Sequence, residues 1–217
     1  QPRFGRERIH VHLWAPDIFE WTMELMADSA VNLDAEIRTL LAETRALDED
    51  SVFINGTGSG MPVGVLQEVS LGNIATIPSG AVTGITYDGL VNLWTSLPSQ
   101  YRSNGTLLFN SFTLGLLMQL KGTDDHPIFP ANVIPDNLWG RPFAISEFMP
   151  DAGGAGSTGN FGMVFGDWRF YGVADRQDMR IIRLVERFAP NIGILAIARV
   201  GGQVLKANPF RALVVGT

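Results

Sequence analysis

Residues 32–64, NLDAEIRTLLAETRALDEDSVFINGTGSGMPVG, carry the pattern that decides the fold. The first part predicts an amphipathic helix from Leu33 to about Asp50, because Asn32 can cap its start and acidic residues occupy its first turn. Apolar residues and one threonine recur at the 3.6-residue spacing of a single helix face. They are Leu33, Ile37, Leu40, Leu41, Thr44 and Leu47. A glycine-rich loop follows directly after this helix.

The glycine-rich loop looks at first like a phosphate-binding loop. A P-loop requires the pattern G-x-x-x-x-G-K-[ST], and this loop contains no lysine. A dinucleotide fingerprint would need a third glycine at the position of Val63. Both motifs also follow a strand, whereas a helix precedes this loop. The glycines therefore favour a hinge at which the helix turns into another domain. They are Gly56, Gly58, Gly60 and Gly64.

The composition disfavours several classes of function. Of the 217 residues 46% are hydrophobic and only 18% are charged, and the net charge is −6. Proteins that grip nucleic acid through its phosphates usually carry a basic patch, and this sequence has none. The absence of cysteine excludes disulfides and thiolate metal sites. No apolar run approaches the roughly 20 residues of a membrane-spanning helix, and we expect no secretion signal.

Residues that could carry chemistry are few and scattered. The segment DDH at residues 124–126 contains metal-binding types, but adjacent residues rarely converge on one ion. His10 and His12 share one face of an expected strand without a carboxylate partner. Ser59 does not lie in the G-x-S-x-G context of a nucleophile elbow. We therefore expect no catalytic residue, no metal ion and no cofactor.

The remaining segments predict a mixed architecture rather than a regular alternation of strands and helices. In chain order we expect a short helix over residues 17–26, strand-like pieces over 64–77, a helix over 87–97, a strand over 106–110, a helix over 112–120 that Ser111 caps, a proline-rich loop over 124–142 and long strands over 179–215. Helices early in the chain and strands at its end indicate an α+β fold.

Five segments in one order support a more specific interpretation. They are residues 16–66, which end in GTGSGMPVGVL, residues 90–122, residues 138–150 (LWGRPFAISEFMP), residues 164–176 (VFGDWRFYGVADR) and residues 188–215. Together they resemble the major capsid proteins of tailed bacteriophages, which have the Hong Kong 97 fold. The resemblance covers nearly the whole chain from about Ala15 onward.

The resemblance implies two domains. A peripheral domain would comprise residues 15–64 and 177–210, built from a long spine helix and long β-strands. An axial domain would comprise residues 65–176 and 211–217, with a central sheet flanked by helices. Residues 1–14 would be the remnant of an extended loop, and the glycine-rich loop would be the passage between the two domains.

The resemblance also implies a function. The chain would be a structural subunit of an icosahedral phage or prophage capsid, not an enzyme, that self-assembles into hexamers and pentamers enclosing double-stranded DNA without binding it specifically. It would be assembled in the bacterial host cytoplasm and reside in the virion, with scaffold, protease, portal and decoration proteins as further partners and no membrane. Trp139 and Phe143, in and just after the proline-rich loop, are expected to contact a neighbouring subunit.

Two other functions compete with this interpretation. An encapsulin-like shell would share the fold but enclose cargo enzymes. An enzyme that binds a nucleotide at the glycine-rich loop would place a phosphate against the glycines. Binding of ATP or NAD, measured by calorimetry, would distinguish the second alternative from either kind of shell subunit.

Overall fold

The computed structural model of the protein describes residues 8–22, 24, 33–122, 124–128 and 137–216. The chain divides into two compact units. Unit 1 comprises Gln1–Gly64 and Gly172–Gln203, and unit 2 comprises Val65–Tyr171 and Val204–Thr217. The divisions after Tyr171 and Gln203 lie several residues before the positions expected from the sequence, which are after residues 176 and 210. Nothing in the sequence marks a division within a continuous strand.

The helices and strands have the following bounds. The helices are α1 (Leu33–Asn55), α2 (Val65–Ser70), α3 (Tyr87–Ser96), α4 (Ser99–Arg102) and α5 (Ser111–Met118), and a 3₁₀ turn covers Trp168–Phe170. The strands are β1 (His12–Trp14), β2 (Phe19–Thr22), β3 (Ala75–Pro78), β4 (Gly80–Ala81), β5 (Gly84–Ile85), β6 (Thr106–Phe109), β7 (Asn137–Leu138), β8 (Arg141–Ile145), β9 (Phe161–Gly166), β10 (Tyr171–Leu184), β11 (Asn191–Val204) and β12 (Phe210–Val214).

Unit 1 is built on helix α1, which confirms the helix that the sequence predicts. Ile37 and Leu41 are buried against the sheet residues Ile194 and Ala196. The helix continues five residues beyond the predicted end at Asp50, to Asn55. The apolar residues after Asp50 extend the helix, since Ile54 is buried and no breaker precedes the glycines.

The sheet of unit 1 centres on β11. Strands β1 and β10 lie on either side of β11, and β2 also pairs with β11. The predicted helix over residues 17–26 is wrong for Phe19–Thr22, which pairs antiparallel with the start of β11. Burial alternates with the period of two that is typical of a strand: Phe19 and Trp21 pack on the core cluster, whereas Glu20 and Thr22 are exposed. Residues 23, 25 and 26 lie outside the described residues.

Unit 2 contains a six-stranded sheet of order β3-β12-β9-β6-β8-β7. Strand β12 runs parallel to β3 and antiparallel to β9, and β6 runs antiparallel to β9 and parallel to β8. Helices α3 and α5 contribute Leu90, Leu93 and Leu117 to the same buried cluster as the sheet residues Phe109 and Phe165. This is the arrangement of a central sheet flanked by helices.

Three local predictions in unit 2 are wrong. Residues 65–70 form helix α2 rather than a strand, because Val65, Leu66 and Val69 bury one helical face. Helix α5 is capped by Asn110 and not by Ser111, since the Asn110 side chain accepts a hydrogen bond from the amide of Thr113. The predicted loop over residues 124–142 contains β7 and the start of β8; residues 123 and 129–136 lie outside the described residues.

Candidate functional site

The glycine-rich loop is closed on itself by backbone hydrogen bonds within unit 1. The amide of Gly64 donates to the carbonyl of Gly56 at 2.8 Å, and the amide of Gly58 donates to the carbonyl of Pro62 at 3.3 Å. Thr57 and Val63 form an antiparallel bridge between these contacts. The loop is therefore a small, ordered turn that begins at the end of α1.

The four glycines are required for two different reasons. Gly58 and Gly60 have φ angles of +81° and +72°, which L-residues with side chains rarely adopt. Gly56 and Gly64 lack space instead: a Cβ atom would lie 2.3 Å from the carbonyl oxygen of Pro62 at Gly56 and 2.4 Å from that of Ile54 at Gly64. Substitution at any of the four would disturb the turn. Their proposed role as a hinge stays a prediction.

The same hydrogen bonds bear on the phosphate-binding alternative. A phosphate cradle needs backbone amides that point outward and have no partner. Here the amides of Gly56, Gly58 and Gly64 donate to carbonyls of the loop or of α1, and the amide of Val63 donates to the carbonyl of Gly202 on β11 at 2.8 Å. The loop geometry therefore gives no support to a nucleotide site.

The other residues considered for chemistry lie apart from one another. Asp125, the middle residue of the DDH segment, forms an exposed ion pair of 2.9 Å with Lys121. In the part of the chain that the structure describes, no three His, Asp or Glu side chains lie close enough together to hold a metal ion. Within the same residues, no helix has both the length and the apolar character needed to cross a bilayer.

Trp139 occupies an unusual backbone position in the turn that joins β7 to β8. Leu138 pairs with Arg141 across this turn, so Trp139 and Gly140 are its two central residues. Both have positive φ angles, +50° and +72°, as in a type I′ turn. Such a turn strongly prefers Asn, Asp or Gly at its first central position. A tryptophan there holds a backbone conformation that bulky residues rarely adopt.

The Trp139 side chain forms one wall of an open pocket on unit 2. Its ring lies edge-on to Trp94 at 5.4 Å and to Tyr87 at 6.3 Å, and 36% of the residue remains exposed. Tyr87, Val91, Trp94 and Trp139 line an open cavity of about 320 Å³, which we name the aromatic pocket. Aromatic residues that are partly exposed and rigidly held are the usual anchors of protein interfaces.

Phe143, the second residue that the sequence places at a subunit contact, has a different environment. Its ring stacks on Phe109 at 5.2 Å, with 29° between the ring planes, and it packs against the buried cluster of unit 2. Phe143 therefore contributes to the core, and the structure does not bring it together with Trp139 in one surface. Tyr87 and Trp94 were missed as surface residues, although with Val91 they have the i, i+4, i+7 spacing of one helix face.

Arg102 lies beside the aromatic pocket. The carbon at the centre of its guanidinium group is 5.9 Å from the ring centroid of Trp94. One terminal nitrogen donates to the carbonyls of Thr95 and Leu97, at 3.0 and 2.8 Å. Its Nε is buried without a hydrogen-bond partner, and no carboxylate among the described residues forms an ion pair with it. Arg102 thus contacts the ring that forms one wall of the pocket, and within the described chain it forms no ion pair.

Asp167 is a buried carboxylate of unit 2 that forms an ion pair with Arg169. The carboxylate is 1% exposed and accepts hydrogen bonds from Nε and Nη2 of Arg169 at 2.9 and 2.7 Å. Hydrogen bonding and charge from Arg169 hold the pKa of Asp167 below its usual value, although burial acts in the opposite direction. The pair fixes the 3₁₀ turn between β9 and β10.

The profile of the phage capsid family matches residues 1–215. The chain belongs to the phage capsid family. Among curated proteins, none is significantly similar to this chain.

Solved capsid structures share the fold of this family member. The chain is similar to the capsid of an empty GTA particle computed with C5 symmetry, with a TM-score of 0.88 and 27% identity over 96% of this chain and 74% of that one. For the capsid of the native GTA particle the TM-score is 0.89 and the identity 26%, over 100% and 76% of the chains. A structure from Gordonia phage Cozz has a TM-score of 0.69 at 15% identity, over 97% and 72% of the chains, and shows the fold alone.

These comparisons confirm the α+β Hong Kong 97-type fold that the sequence resemblance implies. As a member of the phage capsid family, the protein is a structural subunit of a capsid, formed by association with copies of itself. Contact with other copies is therefore the activity that its surfaces must explain.

Proposed function

We propose that this capsid protein assembles into pentamers and hexamers that close into an icosahedral shell around double-stranded DNA. The observation that carries the proposal is the match of the family profile to residues 1–215, together with 27% identity and a TM-score of 0.88 to a capsid computed with C5 symmetry. A shell of this kind is assembled in the bacterial cytoplasm, where scaffold, protease, portal and decoration proteins are its further partners.

We assign unit 1 to the peripheral domain and unit 2 to the axial domain of this shell. Support comes from the architecture of each unit by itself. Helix α1 has 23 residues and a length of about 35 Å, as a spine helix requires. Unit 2 has a central sheet flanked by helices. The glycine-rich loop ends at the boundary after Gly64, where we place the passage between the domains.

The physical basis of this function is association of many copies through moderate contacts. A specific interface buries of the order of 1,000 Å² or more, and repetition over a closed shell makes modest contacts collectively stable. The net charge of −6 suits a wall that encloses DNA without binding it tightly, because phosphates are repelled rather than neutralised. No observation on the described residues favours an encapsulin-like shell or a nucleotide-binding enzyme.

Light scattering coupled to size-exclusion chromatography tests the proposal on the full chain. We expect an assembled species of several copies, and weaker assembly for both Trp139→Ala and Phe143→Ala. Assembly should weaken for a different reason in each variant. Trp139→Ala should stay folded and lose a contact with the next copy. Phe143→Ala should lose about 3 kcal/mol of unfolding free energy, because the phenylalanine ring is removed from the core. A monomeric wild type would contradict the proposed assembly. Unaltered association of both variants would contradict the proposed contact.

A further inference from the structure

Unit 2 carries a second exposed apolar surface next to the start of helix α5. Phe112 is 49% exposed on the first turn of α5, and Ile145 is 45% exposed at the end of β8. The hydroxyl of Ser111 donates to the carboxylate of Glu147, which ties these two segments together. Phe109, three residues before Phe112, is paired with Ile145 across β6 and β8. We name the surface of Phe112, Ile145 and Glu147 the apolar knob.

The apolar knob and the aromatic pocket lie at opposite ends of β8. Trp139 comes just before the strand begins, and Ile145 is its last residue. A strand rises about 3.3 Å per residue, so the two positions are separated by about 20 Å. One copy therefore presents both surfaces at once, and its own knob does not fill its own pocket.

The two surfaces are complementary in charge as well as in apolar character. Arg102 lies over the ring of Trp94, one wall of the pocket, and has no ion pair among the described residues. The knob carries Glu147, an exposed carboxylate that likewise has no ion pair within the described chain. A guanidinium group and a carboxylate form short, strong hydrogen bonds when they meet.

The backbone at Trp139 gives independent support for a contact outside unit 2. A sequence optimised only for folding would place Asn or Gly at the first central position of this turn. Strained backbone persists where it serves a function, such as binding. Here the unfavourable position holds an indole ring at the rim of an open pocket.

We propose that the apolar knob of one copy docks in the aromatic pocket of the next copy, with Glu147 facing Arg102. The proposal rests on the proposed self-assembly, which makes a second copy the occupant. A contact between two different surfaces of the same chain is heterologous, and such contacts generate closed rings when the rotation between neighbours closes. The knob-to-pocket contact therefore supplies a head-to-tail link of the kind that a ring of copies needs.

Engineered cysteines test the direction of this contact, because the chain contains no cysteine of its own. Tyr87→Cys lies at the rim of the pocket and Ile145→Cys at the rim of the knob. The double variant should form a covalent ladder of dimers, trimers and larger rings on mild oxidation. A mixture of the two single variants should form covalent dimers and nothing larger. The matched control Tyr87→Cys with Leu71→Cys, at another exposed position of unit 2, should form no ladder.

Two anchor variants test the energetics by sedimentation velocity. Trp139→Asn introduces a residue that suits the turn and removes one wall of the pocket. Phe112→Ser removes the aromatic side chain of the knob. Each should weaken self-association about 30-fold, the loss typical of an interface anchor, with an unchanged far-ultraviolet circular dichroism spectrum. A wild type that assembles while both variants assemble equally well, or a double-cysteine variant without a ladder, would overturn this contact alone. A wild type that does not assemble would instead overturn the proposed function.

Discussion

The two units of the molecule differ in how they are stabilised. Among the residues that the structure describes, unit 2 has a cluster of fourteen buried residues that combines helices and sheet. In unit 1 the cluster between α1 and the sheet has four, Ile37, Leu41, Ile194 and Ala196, among the described residues. Helix α1 also leaves Leu47 60% exposed. Among the described residues, unit 2 thus has the larger buried cluster, whereas the cluster of unit 1 consists mainly of partly buried side chains packed around four buried residues.

The ion pairs of the two units differ in the exposure of their carboxylates. In unit 1, Arg45 pairs with Glu49 and Asp175 at distances of 2.5 and 3.0 Å, and the Asp175 side chain is 47% exposed. In unit 2 the carboxylate of Asp167 is buried and accepts two hydrogen bonds from the guanidinium group of Arg169 and one from its backbone amide. Exposed ion pairs contribute little, whereas a buried carboxylate depends strongly on its partners.

The largest effect should come from the core of unit 2. Phe165 is fully buried and stacks on Trp94 at 5.1 Å, so Phe165→Ala should lower the free energy of unfolding by about 4 kcal/mol. Urea denaturation followed by circular dichroism measures this loss. The matched control is Phe112→Ala, an exposed phenylalanine of the same unit, which should change the value by less than about 0.5 kcal/mol. Equal losses would break the description of unit 2 as a packed core.

A buried amide should have the next largest effect. Asn110 caps α5 and donates through Nδ2 to the carbonyl of Met149 at 3.1 Å and to Asp151 at 2.5 Å. Asn110→Ala should reduce the free energy of unfolding by about 3 kcal/mol, because it removes the cap and leaves a buried carbonyl without a donor. Asn104→Ala, at an exposed position, serves as the control and should be nearly neutral. A small effect at Asn110 would show that this network is dispensable.

The buried carboxylate predicts a pH dependence. Because the pKa of Asp167 is lowered in the folded chain, its stabilising effect is complete above the ordinary aspartate pKa of about 4 and is lost as pH falls through the lowered pKa. At pH 7 Asp167→Asn should lower the free energy of unfolding by about 2 kcal/mol. The difference in unfolding free energy between the wild type and Asp167→Asn should become smaller in strongly acidic solution. A difference that stays constant down to low pH would refute this assignment.

The smallest effect should come from the exposed ion pair of unit 1. Asp175→Asn removes the charge that faces Arg45 and should change the free energy of unfolding by less than about 0.5 kcal/mol. The midpoint temperature of thermal unfolding of the variant should be nearly the same at low and at high salt. If Asp175→Asn costs as much as Asp167→Asn, the contrast between the two units fails.

Much of the fold could be predicted from the sequence where one physical signal dominates. Helix α1 shows its apolar stripe over many turns, and the long strand β11 is rich in Ile and Val. Strand β2 was mistaken for a helix because four residues are too few to reveal a period of two. Helix α2 has only six residues, which are too few to reveal the 3.6-residue period of a helix, so its apolar residues suggest a strand instead.

The candidate site was predicted less completely, for a physical reason. The prediction of Trp139 as a contact residue rests on its position in the proline-rich loop. The pocket around it depends on the packing of helix α3 beside the β7–β8 turn, and no local pattern encodes that packing. Phe143 looked equivalent to Trp139 in sequence, but strand pairing places its ring against Phe109. Alternation along a strand does not reveal which of its faces a neighbouring helix covers.

Electron microscopy of the full chain tests the central claim most directly, because rings, closed shells and single copies differ visibly. The account predicts rings of five or six copies, or closed shells, in which unit 2 of each copy adjoins the next around the axis. A uniform population of single copies, at concentrations where the purified protein stays folded, would contradict it.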